Sequence, residues 1–130
     1  MEKITNFNEI LKNDCEITNV TKKGYCRLWT KRAAELARDF FEPNEWEIMA
    51  REITTMRSGD HTFLRIRNLN DEQLSFFYDG TGTGEFEPYC GLENESPPHL
   101  KKNTNPTRAA RQLKKRLLRY IISNDKFYFI

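Results

Sequence analysis

Cys26 is the residue of this chain best placed to do chemistry. It follows Gly24-Tyr25 and opens a run, Cys26 to Phe41, in which Trp29, Ala33, Leu36, Ala37 and Phe40 share one helical face. Lys31, Arg32, Glu35 and Arg38 lie largely opposite, and Pro43 ends the run. A thiol at a helix start feels the positive end of the macrodipole and backbone N–H groups without intrahelical partners, and both favour the thiolate. The same amides can steady an oxyanion. The implied chemistry is nucleophilic attack on an acyl carbon, which needs a base and a group to orient that base. The chain has two histidines. His61 follows the turn Arg57-Ser58-Gly59-Asp60 and opens the strand expected over Thr62–Arg67. Asp79 closes the next one, Leu74–Tyr78. Antiparallel pairing of these two strands sets the start of one beside the end of the other, so a carboxylate falls next to the imidazole. Each residue taken singly has an ordinary use: a small buried hydrophobe, a solvated edge histidine, a turn aspartate before glycine. The order and placement together make the trio a candidate.

The elements that must position it form an α+β arrangement. A weak helix is expected within Met1–Asn19, with Ile4, Phe7, Ile10 and Leu11 at helical spacing and Asn6, Asn8 and Asn13 against it. The Cys26 helix follows, then strands over Trp46–Met56, Thr62–Arg67 and Leu74–Tyr78 in an antiparallel meander. Asp79–Gly84 (DGTGTG) reads as a loop. No helix opens from it and no Lys-Ser/Thr follows, so it is not a phosphate cradle. Pro88–Pro98 reads as irregular. Pro106–Ser123 reads as a strong amphipathic helix, and Phe127–Ile130 as a short edge strand.

Composition bounds the rest. One domain, residues 1–130, is expected from 130 residues with 38% hydrophobic and 12% aromatic side chains. No run approaches the roughly 20 apolar residues of a membrane span. Met1 to Lys12 carries Glu2 and Glu9 and has no apolar signal core. Three cysteines, with no CxxC, favour a reducing compartment, so a cytoplasmic location is expected. No two of Cys15, Cys26, Cys90, His61 and His99 have zinc-ligand spacing, so no metal or other cofactor is expected. Net charge is unevenly spread. Residues 1–100 hold 12 Lys and Arg against 18 Asp and Glu, a balance of −6; residues 101–130 hold nine against one, a balance of +8. Within the C-terminal helix Arg108, Arg111, Lys115 and Arg119 form a basic ridge suited to nucleic-acid phosphates or an acidic protein. That ridge supports an alternative function, a non-enzymatic binding module.

The stretches GYCRLWTKRAAELARDFF, GDHTFLRIRN and LSFFYDGTG resemble, in order, the cysteine, histidine and acid segments of compact papain-like proteins. The likeness covers residues 15–92, the expected papain-like core, with residues 101–130 as its basic C-terminal helix and short strand. It is nearest to the papain-fold toxin and glutamine-deamidase group, and looser to transglutaminase-like domains. The resemblance implies Cys26 as nucleophile, His61 as base and Asp79 as orienting acid. The glutamine that usually serves the oxyanion upstream of the cysteine is missing, and Asn19 or Thr18 would stand in for it. The implied activity is cysteine-dependent amide hydrolysis or transfer (deamidase, transamidase or peptidase) on a protein substrate, in a toxin or effector-type module.

Overall fold

The computed structural model of the chain describes residues 2–55, 59–82, 86–101 and 127–129. The N-terminal segment is two helices rather than one, α1 (Glu2–Asn13) and α2 (Cys15–Val20). The break falls at Asp14, whose carboxylate caps α2 by accepting from the Ile17 N–H at 2.9 Å. The same carboxylate takes a two-pronged contact from Arg32, Nε to Oδ2 at 3.0 Å and Nη2 to Oδ1 at 2.8 Å. The Arg32 hydrogen bond, chiefly, holds the Asp14 carboxyl below its ordinary range. Asp14 thus starts one helix and pins it to the next, α3 (Cys26–Phe40). We expect Asp14→Ala to cost about 2 kcal/mol, the sum of a lost cap and a lost charge-assisted pair. Thermal unfolding should show the midpoint falling by about 7 °C.

A tight loop leads into α3, with Gly24 at φ +88°, in the left-handed region that glycine enters without strain. The buried face of α3 is Trp29, Thr30, Ala33, Ala34 and Ala37. Three alanines with no bulk let the helix lie close on the sheet. Phe41 leaves the helix in extended conformation, before Pro43.

The strands are β1 (Trp46–Thr55), β2 (Gly59–Asn68), β3 (Ser75–Asp79), β4 (Tyr89–Leu92) and β5 (Phe127–Phe129), in spatial order β4-β3-β2-β1-β5. The first four pair antiparallel; β5 lies parallel to β1. The meander therefore runs one strand further than expected, because Tyr89–Leu92, inside the segment read as irregular, pairs with β3. Period-two alternation divides the sheet's faces. Ile48, Ala50, Leu64, Ile66, Phe76 and Tyr78 meet the helices and Phe7, Phe41 and Trp46 in the main core. Ile53, Phe63 and Phe77 face the other way, under Leu100 from a short helical turn at Pro98–Lys101. The helix expected over Pro106–Ser123, with Arg108, Arg111, Lys115 and Arg119, lies outside the described residues. No helix among those residues is long and apolar enough to cross a membrane.

Candidate active site

β2 outlasts β3, and this mismatch builds the site. The pairing of the two strands runs from Arg67–Ser75 to Leu64–Tyr78 and stops. Asn68 donates to the Leu74 carbonyl at 2.8 Å, so the even-numbered residues of β2 aim their backbone polar groups at β3. Thr62 does likewise, two residues beyond the last partner. The start of α3 fills the gap. The Thr30 hydroxyl donates to the Thr62 carbonyl at 3.3 Å, and the Thr62 N–H donates to the Cys26 sulfur. Cys26 is thereby fixed at the first turn of α3, half-buried, beside the open end of the sheet.

His61 precedes Thr62 and therefore points to the opposite face, as does Asp79 at the end of β3. Nε2 of His61 lies 2.8 Å from Oδ2 of Asp79, with the two side chains 3% and 1% exposed. The carboxylate accepts, so Nε2 carries a hydrogen and Nδ1 is left for the thiol, with which His61 also hydrogen-bonds. The other Asp79 oxygen, Oδ1, accepts from the backbone N–H groups of Thr81 and Gly82 at 3.3 and 3.1 Å. One buried carboxylate thus orients the imidazole and ties down the start of the glycine loop.

The titrations of Cys26 and His61 move in opposite directions. Burial opposes both charged forms. For Cys26 it is outweighed by the hydrogen bonds from His61 and Thr62 and by the charges of His61 and Arg27, so the thiol lies below its ordinary value. For His61 it is outweighed by hydrogen bonds and charge from Asp79 and Cys26, so the imidazolium is held up at about 9. Both shifts favour the charged pair, thiolate beside imidazolium, over the neutral one. Cys90 behaves otherwise. Although exposed as an edge-strand residue, its thiol is pushed up to about 12, by burial first and then by the Asp79 charge. Electrophiles should therefore choose Cys26 over Cys90.

These shifts set a pH dependence of stability. A raised His61 pKa stabilises fully below the ordinary histidine value of about 6.5, and that contribution is lost as pH rises through about 9. A lowered Cys26 pKa stabilises fully above the ordinary thiol range and is lost as pH falls through the lowered value. The opposed slopes offset in between, giving a plateau with losses on both sides. Thermal unfolding across this range should show that dome in the native chain and a flatter profile in His61→Ala.

Several neighbours were not legible in the sequence. Glu52, 4% exposed, stands opposite Thr62 in the β1–β2 ladder, and its Oε1 lies 3.9 Å from Nη2 of Arg27. Gly80 packs against the Trp29 indole so closely that a Cβ there would overlap the ring. Beyond Trp29 lies a cleft of about 270 Å³, lined by residues including Leu11, Ile17, Tyr78 and Pro88 but by none of Cys26, His61 and Asp79. Thr18 and Asn19 are exposed on α2, and the Thr18 hydroxyl donates to the Asp14 carbonyl at 3.1 Å. Among the described residues no group of three or more His, Cys, Asp or Glu could hold a metal ion.

Chemically, the arrangement offers an activated sulfur, a proton donor and acceptor against it, and open backbone amides at the head of a helix. No family model matches the chain, and no curated protein or solved structure matches it either.

Proposed function

We propose that the protein is a cysteine-dependent amide hydrolase or transferase, with a papain-like core and the triad Cys26, His61 and Asp79. The observation that carries this reading is the buried 2.8 Å His61–Asp79 hydrogen bond, with the imidazole's other nitrogen turned to a thiol of lowered pKa. The thiolate attacks the carbonyl carbon of a side-chain carboxamide or peptide bond, and the charge moves to the oxygen. The Cys26 N–H at the open end of α3 steadies that oxyanion. Asn19 is the side-chain donor nearest in role to the missing glutamine, since the Thr18 hydroxyl already serves Asp14. The imidazolium protonates the departing nitrogen, which leaves as ammonia or an amine, and a thioester remains. Water or an amine then attacks the thioester, giving its proton to His61 and restoring the thiolate.

A site fixed at the end of a small sheet favours an amide displayed on a partner's surface. Glutamine deamidation or transamidation of a protein is therefore preferred within this class, in a toxin or effector-type module acting in the reducing cytoplasm that its free thiols suit. The test is mass spectrometry of glutamine- and asparagine-containing peptides and folded proteins incubated with the chain. Conversion of a carboxamide to a carboxylate, or its exchange for an added amine, should occur with the native chain. It should be absent with Cys26→Ala. Equal product from both would overturn the proposal.

A further inference from the structure

The side chains that surround Cys26 have a chemistry of their own. Four large hydrophobic side chains are exposed among the described residues: Tyr25, Leu28, Leu69 and Phe86, at 42%, 49%, 45% and 40%. Tyr25 and Leu28 flank Cys26, one residue before and two after, on the first turn of α3. Phe86 belongs to the loop that Asp79 ties down, its carbonyl lying close to Gly82. Leu69, by contrast, lies eight residues from His61 along and just past β2, roughly 26 Å away. Two of the four, Tyr25 and Leu28, therefore stand at the thiol, while the Phe86 ring stacks on His99 with centroids 3.8 Å apart. A lone exposed hydrophobe is ordinary, whereas apolar side chains grouped around a reactive atom mark a contact surface.

The charged residues that flank Cys26 in sequence have one sign, with Arg27 also 3.9 Å from the buried Glu52. No Asp or Glu occurs from 17 to 34, whereas Lys22, Lys23 and Arg27 all lie within four residues of Cys26. Lys22 and Lys23 are exposed in the loop before α3, with the Lys22 Nζ 5.8 Å from the Tyr25 ring centre. Arg27 is 42% exposed. Glu87, exposed on the segment that follows Asp79, is the acidic residue described on that side of the sequence.

Resting on the nucleophile reading above, we propose that the substrate is a polypeptide segment that presents acidic side chains to the Lys22–Arg27 side and an apolar side chain next to the target amide. The acids meet Lys22, Lys23 and Arg27, and the apolar side chain packs against Tyr25 and Leu28. A nucleic acid fits less well, because it offers nothing aliphatic to Leu28. A peptide can place its acids on one side only.

The test uses affinity labels, so no turnover is needed. Two short peptides share a leucine-rich centre carrying a side-chain chloroacetamide; glutamates flank it in one and lysines in the other. Cys26 displaces chloride and forms a thioether, and the labelling rate is read by mass spectrometry beside that of free chloroacetamide. The glutamate peptide should label Cys26 about tenfold faster than the lysine peptide at low salt. The ratio should approach one at about 0.5 M salt, and fall below about twofold in Lys22→Glu/Lys23→Glu, as two of three steering charges invert. Equal rates for the two peptides, with free chloroacetamide still fast at Cys26, would overturn the proposal and leave the nucleophile standing. Free chloroacetamide no faster than with an ordinary thiol would remove both. An oligonucleotide that blocks labelling at lower concentration than an unreactive glutamate peptide would overturn it in favour of nucleic acid.

Discussion

Asp79→Ala should abolish most activity and unfold the chain about 10 °C earlier. The carboxylate is 1% exposed and serves three partners, the His61 ring and the Thr81 and Gly82 amides. Deleting one member of a buried, hydrogen-bonded charged pair strands the other, at a cost of about 3 kcal/mol. In a chain of 130 residues that corresponds to roughly 11 °C in Tm. An imidazole without its orienting acid loses both the correct tautomer and the stabilised imidazolium, so kcat/KM should fall by at least about 100-fold. Asp79→Asn separates these roles. Its amide oxygen can still accept from the ring or the loop, so much of the stability should survive. The charge that helps hold His61 at about 9 is gone, so the alkaline limb of the pH–rate profile should move down by a unit or more. Circular-dichroism melts and pH–rate profiles of the two variants check this. An unmoved alkaline limb in Asp79→Asn would mean that His61 does not carry the reaction's proton.

Gly80→Ala is expected to be nearly as damaging, for a steric reason. The added methyl would be built into the Trp29 indole, meeting Cε2, Cζ2 and Nε1. Trp29 is 3% exposed and sits one turn after Cys26, so the ring has no room to retreat without shifting α3 or the end of β3. Overpacking of this kind costs about 3 kcal/mol. It should also slow Cys26 alkylation, because α3 and Asp79 move apart. Gly80→Ala/Trp29→Phe removes part of the collision and should recover at least about 1 kcal/mol of the loss in a double-mutant cycle. Additive losses would show that the two residues do not share one contact.

The sequence exposes the parts of this site that depend on local pattern. α3 is legible from Trp29, Ala33 and Ala37 at helical spacing, and it begins at Cys26 as expected. β2 and β3 are legible from alternation and turn residues, and their antiparallel pairing brings His61 to Asp79. What escaped depends on how long each element runs. β3 ends within a residue of the Tyr78 expected, but β2 runs back to Gly59, past the Thr62 start expected, and it is this overhang that lets Thr62 bond to Cys26. β4 escaped because Tyr89–Leu92 is four residues long, holds a glycine and follows a proline, leaving no alternation to read. The division between α1 and α2 escaped because Asp14 acts as a cap only once Arg32 and Ile17 come to it. Glu52 carries no signal of its own in the sequence, and its burial beside Arg27 is a property of the packed molecule.

The most direct test is the rate of iodoacetamide alkylation at each cysteine as a function of pH, in the native chain and in His61→Ala. A thiolate held by His61 and Thr62 should react below about pH 7, where an ordinary thiol of pKa about 8.5 is almost wholly protonated. Near pH 6, His61→Ala should slow Cys26 by about tenfold or more, while Cys90 stays unreactive in both. A Cys26 that titrates like any free thiol, with or without His61, would contradict the triad.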